Sequence, residues 1–253
     1  MKISVNLQAI FGNANIEESF IRMKKSGFHD FERWFVDPAE VDDLRLCTER
    51  HGMNMTTFCT RYFDLATSAN RELYIEGLKG ALKDARKLSC RGLITQVGND
   101  SGIGREEQHE SIVTGLKQCV PLLEESGVTL FMEPLNTVKD HPGYYLSSSD
   151  EAFDIAREVG SRNVKVLFDV YHQLHMGEDV LKQIADHIDL IGHFHIAGFP
   201  DRDEKLFERF SHIPLFELLK RIGYDGHIGL ELFIKNGTSE DFFCMLRNAV
   251  PDL

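Results

Sequence analysis

The sequence lacks any C-x-x-C pair, and its five cysteines, Cys47, Cys59, Cys90, Cys119 and Cys244, are odd in number and widely spaced. That pattern argues against a disulfide framework and a thiolate zinc cluster, and fits reduced thiols in a cytoplasmic protein. No apolar run approaches the roughly 18 residues of a membrane helix. The opening Met1-Lys2-Ile3-Ser4-Val5-Asn6-Leu7-Gln8 is too broken by polar residues for a signal peptide, so no membrane partner is expected. Positive charge is scarce: 28 Lys and Arg stand against 40 Asp and Glu, a net charge of −12. Such a surface repels phosphate backbones, so nucleic acid is not an expected partner. No Pro-rich linker, low-complexity stretch or charge block divides the chain, and one domain over 1–253 is expected. The sequence is compatible with a homo-oligomer.

What is present is a repeated unit: a short apolar run, a turn, then an amphipathic stretch. Eight runs rich in β-branched and aromatic residues, at 3–8, 30–35, 53–59, 92–97, 128–133, 164–169, 190–196 and 227–231, predict buried strands. Helical patterns fall at 17–26, 39–51, 71–88, 106–126, 149–159 and 214–222. Most end at a glycine, and Pro38 and Pro214 stand at helix starts. The same helix-to-strand joint recurs at Ser26-Gly27-Phe28, His51-Gly52-Met53, Ser126-Gly127-Val128 and Ile222-Gly223-Tyr224. Eight units over 253 residues give about 32 residues each, the size of a βα repeat in a (β/α)8 TIM barrel of α/β class. The rival, a doubly wound sheet, lacks its G-x-G-x-x-G after the first strand; Gly102-Ile103-Gly104 is an isolated partial match.

In such a barrel chemistry sits where the strands end. The fifth run ends in Glu133-Pro134, the sixth in Asp169, the seventh contains His193-Phe194-His195, and the eighth ends in Glu231. By period-two geometry Glu133, Asp169, His195 and Glu231 face inward together. A lone acid at a strand end is usually a helix cap or a surface charge, whereas four polar ends in succession point to a site. Converging carboxylates repel, and a divalent cation relieves that repulsion. Three carboxylates and an imidazole suit Mn, Mg or Co, with Zn also compatible.

These residues resemble the xylose-isomerase-like TIM-barrel superfamily of sugar isomerases and epimerases, over essentially the whole chain. The likeness is greatest to the hydroxypyruvate isomerase branch, with ketose 3-epimerases next. It is carried by Glu133-Pro134-Leu135-Asn136, Phe168-Asp169-Val170-Tyr171-His172, and Gly192-His193-Phe194-His195-Ile196-Ala197-Gly198-Phe199-Pro200-Asp201-Arg202. Ser4-Val5-Asn6-Leu7 and Asp140-His141-Pro142-Gly143-Tyr144 add to it. The resemblance implies a single divalent ion held by Glu133, Asp169, His195 and Glu231, with Glu133 and Glu231 also moving the proton. It implies that His172 and Arg202 contact a small-molecule substrate. The reaction implied is isomerisation or epimerisation of a small hydroxy-carbonyl compound, hydroxypyruvate or a ketose, through an enediolate.

Two loops depart from the branch. After the third strand it usually carries a P-G-R-E phrase, where this chain has Thr60-Arg61-Tyr62-Phe63-Asp64-Leu65-Ala66-Thr67-Ser68. After the strand-seven arginine it carries E-P-x-x-G-E-I, where this chain has Glu204-Lys205-Leu206-Phe207-Glu208-Arg209-Phe210. The epimerases place an acid where Gly198 stands. The substrate-shaping loops are thus this chain's own.

Remaining polar residues read more plainly. His193, one layer deeper than His195, is expected to be a satisfied core histidine. Glu32 and Trp34 are expected at the rim of strand two, as packing or as a substrate wall. Asn6 suits a polar wall contact and a structural hydrogen bond equally. His175 is expected in the loop after strand six, Arg61 and Arg105 in solvated loops, and Lys165 at the barrel bottom. A dehydratase of keto-inositol or dehydroshikimate type begins with the same proton abstraction and stands as the alternative. A non-catalytic sugar-binding barrel would have lost a proton-transfer glutamate, and both are present. A nuclease of the endonuclease IV kind would need histidines at strand ends that here read Phe58-Cys59-Thr60 and Thr95-Gln96-Val97.

Overall fold

Alternation of apolar runs and amphipathic stretches produces a closed ring of parallel strands in the computed structural model, which describes residues 1–61 and 64–251. The strands are β1 (Lys2–Asn6), β2 (Asp30–Arg33), β3 (Asn54–Cys59), β4 (Gly92–Thr95), β5 (Thr129–Met132), β6 (Val164–Asp169), β7 (Ile191–Ile196) and β8 (His227–Leu230). They pair in chain order, and β8 closes on β1 through Lys2 opposite His227 and Val5 opposite Leu230. The fold is a (β/α)8 barrel. Outside it run α1 (Leu7–Phe11), α2 (Ile16–Lys25), α3 (Val41–His51), α4 (Arg71–Lys87), α5 (Arg105–Ser126), α6 (Ser149–Val159), α7 (Val170–His175), α8 (Val180–His187), α9 (Ile213–Arg221) and α10 (Ser239–Ala249). None of the described helices is long and apolar enough to cross a membrane.

The glycine joints work as the sequence predicts. At Gly52 and Gly127, φ is 61° and 66°, and the backbone N–H of each turns back onto a carbonyl of the helix it ends. Elsewhere the boundaries differ. The first strand stops at Asn6 because the Asn6 side chain accepts the Ala9 N–H and caps α1, so Leu7 and Gln8 are helical. Of the two roles open to Asn6, the structure shows the structural hydrogen bond. His172 and His175 lie on α7 rather than in a loop, because Asp169 caps a new helix directly at the strand end.

The main core lies between strands and helices, where Phe20, Phe31, Phe153, Phe168, Phe194 and Phe243 are fully buried. Inside the barrel the buried apolar cluster is small: Ile94, Phe131 and Leu167, with Cys59 packed against it. The rest of the interior is polar.

Candidate active site

Four strand ends deliver the four expected residues to one place. Glu133 follows β5, Asp169 ends β6, His195 is on β7 and Glu231 follows β8, and all four are buried. Each offers a ligand atom, and these atoms all lie within 4.8 Å of one another. Each side chain is oriented by a different neighbour. Gln96 Nε2 donates to Glu133 Oε2 at 3.0 Å. The N–H groups of Tyr171 and His172 donate to Asp169 Oδ1 at 2.8 and 3.3 Å, which leaves Oδ2 for the cluster. Trp34 Nε1 donates to Glu231 Oε1, and the Arg202 guanidinium donates to Glu231 Oε2 at 2.7 Å.

The electrostatics are those of an unbalanced acidic site. Burial, opposed by Arg202 and reinforced by Glu231 and Glu133, pushes the Asp169 carboxyl up to about 7. Burial also raises the Glu231 carboxyl, but Arg202 and then His195 outweigh it and hold Glu231 well below the usual carboxylate range. His195 Nδ1 lies 3.0 Å from Glu231 Oε2 and 3.6 Å from Glu133 Oε1. Yet neither ring nitrogen has an aligned hydrogen-bond partner among the described residues. A buried imidazole nitrogen aimed between carboxylates without a directed bond is the arrangement that a divalent cation completes, and the donor set of three carboxylate oxygens and one nitrogen fits such an ion.

Above the cluster opens a cavity of about 830 Å³ whose walls include Trp34, Gln96, His141, Tyr144, His172 and Arg202. His172 is completely buried, and Asn136 sets its protonation. The Asn136 Oδ1 accepts from the N–H groups of Lys139 and Asp140, both at 3.0 Å, so its amide NH2 must face His172 Nδ1, 2.7 Å away. With Nδ1 accepting, Nε2 carries the hydrogen, and it has no hydrogen-bond partner among the described residues. Burial, then the nearby Arg202 charge, drives the His172 imidazole well below its ordinary pKa and keeps it neutral. Arg202 sits at φ 54°, with its guanidinium 5.4 Å above the Tyr171 ring, and its Nε is also without a hydrogen-bond partner.

The other residues singled out in the sequence fall elsewhere. Arg61 pairs with Asp84, and Arg105 with Glu151, both outside the cavity. His175 Nε2 is 3.2 Å from the Pro200 carbonyl. Lys165 Nζ donates to the Asp189 carbonyl at 2.5 Å. Glu32 is not a rim residue. The β2–β3 register shifts between Phe31 and Glu32, and Glu32 is buried inside the barrel against His193 and His195. Trp34 does form a wall of the cavity. Of the loop after β3, Tyr62 and Phe63 lie outside the described residues. The sequence alone assigns no role to Gln96, Asn136 or His141. Gln96 follows β4 at its end and lines the cavity, a position from which inward alternation could have found it.

Comparison with known proteins agrees with this geometry. The family model for xylose isomerase-like TIM barrels matches residues 20–247. A 2-oxo-tetronate isomerase from Cupriavidus necator is 30% identical over 250 residues, covering 94% of this chain and 95% of that protein. A hydroxypyruvate isomerase from Escherichia coli is 25% identical over 240 residues, covering 91% and 93%. Among solved structures, an AP endonuclease, family 2, from Brucella melitensis is 26% identical, with 98% of each chain covered and a TM-score of 0.90. With the closed barrel and its four convergent strand ends, these matches establish that the chain belongs to the xylose isomerase-like TIM-barrel family and is an isomerase or epimerase.

Proposed function

We propose that the protein is a divalent-metal-dependent isomerase of a small 2-oxo-3-hydroxy acid. The observation that carries this reading is the convergence of Glu133, Asp169, His195 and Glu231 within 4.8 Å at the floor of a cavity that Arg202 also lines. Both isomerases matched along nearly their full length are named for 2-oxo acids, which favours a keto acid over a neutral ketose.

A divalent ion held by Glu133, Asp169, His195 and Glu231 would supply Lewis-acid polarisation to the substrate. Everything else falls to the chain. Glu133 and Glu231 are the proton carriers: one takes the proton from the carbon bearing the hydroxyl, and the other returns a proton to the former carbonyl carbon. The hydroxyl proton passes to the former carbonyl oxygen in the same interconversion, and the product is the 2-hydroxy-3-oxo isomer, with no atom gained or lost. His172 Nε2–H is a neutral donor for a substrate oxygen. The Arg202 guanidinium has a free Nε–H for the carboxylate. The Brucella match supports a second reading, cleavage of DNA at abasic sites.

The test strips the purified protein with a chelator, reloads it with Mn²⁺, Mg²⁺, Co²⁺ or Zn²⁺, and assays hydroxypyruvate, a 2-oxo-tetronate, a neutral ketose and an abasic-site duplex. Turnover should return with an ion and be highest on a keto acid. Deuterium from solvent or intramolecular transfer should appear at the new C–H bond. Arg202→Ala should raise KM for the keto acid about 10- to 100-fold, since a charge-assisted hydrogen bond is worth about 1.5–3 kcal/mol. The ketose should lose less, because it carries no full charge. Full activity after chelation, or abasic cleavage at a comparable rate, would overturn the reading.

A further inference from the structure

Glu32 is completely buried, and no proton-transfer or substrate role requires it. A buried carboxylate is strongly unfavourable unless its oxygens are compensated. Here they are divided between two histidines of β7. Oε2 lies 3.0 Å from His193 Nε2 and 3.5 Å from Thr57 Oγ1, and Oε1 lies 3.0 Å from His195 Nε2, within pairing distance though not aligned as a directed hydrogen bond.

Resting on the metal site proposed above, we infer that Glu32 is a positioning residue that sets which nitrogen of His195 is offered to the ion. A neutral imidazole carries one hydrogen, and an ionised carboxylate only accepts. Facing Glu32, Nε2 is therefore the protonated nitrogen, and the lone pair is left on Nδ1, the atom that faces Glu133 and Glu231. Hydrogen bonding at the far nitrogen of a ligating histidine fixes its tautomer and raises its basicity.

The surroundings hold this contact in place. His193 is stacked on Phe131, with centroids 5.6 Å apart and planes at 20°, so the donor to Oε2 is itself fixed. On the neighbouring strand Gly229 leaves the space for it. A Cβ there would stand 2.5 Å from both Glu32 Oε1 and His195 Cδ2.

Glu32, His193 and His195 also form a compact group that could itself hold an ion, so stoichiometry separates the two roles. Zinc and manganese binding to the stripped full chain would be measured by competition with a chromophoric chelator, in wild type, Glu32→Gln and Glu32→Asp. We expect a single ion per chain, an affinity about 10- to 100-fold weaker in Glu32→Gln, and partial recovery in Glu32→Asp. In zinc-loaded wild type, ¹⁵N NMR of the imidazoles should show the His195 hydrogen on Nε2. This measurement decides the matter even if the variants do not fold. Unchanged affinity in Glu32→Gln, the hydrogen on Nδ1, or a second ion per chain would overturn the inference and leave the metal site standing. Wild type that binds no ion would overturn both.

Discussion

Phe168 and Asp169 are neighbours in β6 and face opposite ways. Phe168 lies between Phe153, parallel to it at 6.2 Å, and the edge of Phe194, in the layer between sheet and helices. Asp169 faces the barrel interior among Glu133, His195 and Glu231. The contrast extends around the ring. Outside, aromatic and aliphatic side chains form a continuous core; inside, apolar filling is confined to Ile94, Phe131 and Leu167. Barrel interiors of this kind are ordinarily filled with branched aliphatics. Here much of that volume goes to Glu32, Thr57, His193 and His195, so the outer layer must supply most of the stability while the inner one supplies chemistry.

The widest separation between the two regions should come from Glu133 and Glu231, the proposed proton carriers. Glu133→Gln and Glu231→Gln should each reduce turnover by at least about 10²–10⁴-fold; Glu231→Gln should also lower the urea midpoint, because it leaves the buried Arg202 guanidinium without its carboxylate. A Glu231→Gln protein with near-full activity would remove that residue from the mechanism. The mirror experiment is Phe168→Ala. It should cost about 3–5 kcal/mol in denaturant melts, yet leave ion affinity per folded molecule nearly unchanged. A comparable loss of ion affinity would mean that the two faces of β6 are coupled.

Acid should act on the outer region through His212. Burial pushes this imidazole down to about 4, while its Nδ1–H bonds the Leu206 carbonyl at 2.7 Å. Its folded pKa lies below the unfolded value near 6.5, so the unfolded chain takes up the proton first. The associated stability is complete above pH 6.5 and is lost as pH falls toward 4, by about 3 kcal/mol. His212→Gln keeps a donor but does not titrate, and its stability should fall correspondingly less between pH 7 and 4. Identical acid profiles would rule out this assignment. The smallest effect is expected for Asn136→Asp. A carboxylate beside His172 Nδ1 favours the hydrogen there and removes it from Nε2. We expect about a 10-fold drop in kcat/KM with ion binding retained, about 1.4 kcal/mol of transition-state stabilisation.

The two regions were not equally legible in the sequence. The outer layer follows from periodicity and from the glycine joints, both local signals, which is why the ring of strands could be read from the chain. The four inward strand ends were readable because alternation within one strand settles which way each residue faces. Glu32 was not: alternation puts it on the same inward face as Trp34, but direction does not give depth, and Glu32 lies below the cavity against His193 and His195 while Trp34 lines the cavity. α7 was missed because its start has no glycine or proline; Asp169 both ends a strand and caps a helix. The Asn136–His172 and Trp34–Glu231 contacts join residues 36 and 197 positions apart, beyond any local pattern.

Asp169 narrows what drift can do at its position. Its Oδ1 starts α7, and its Oδ2 faces the cluster. Asparagine would keep the cap and lose the charge. Glutamate would keep the charge, but its longer side chain suits an N-cap poorly. Only aspartate meets both demands at once. A lineage of this barrel that abandoned its chemistry would be free to replace Glu133 or Glu231 widely, whereas at position 169 it would still be held to the short capping side chains such as asparagine or serine.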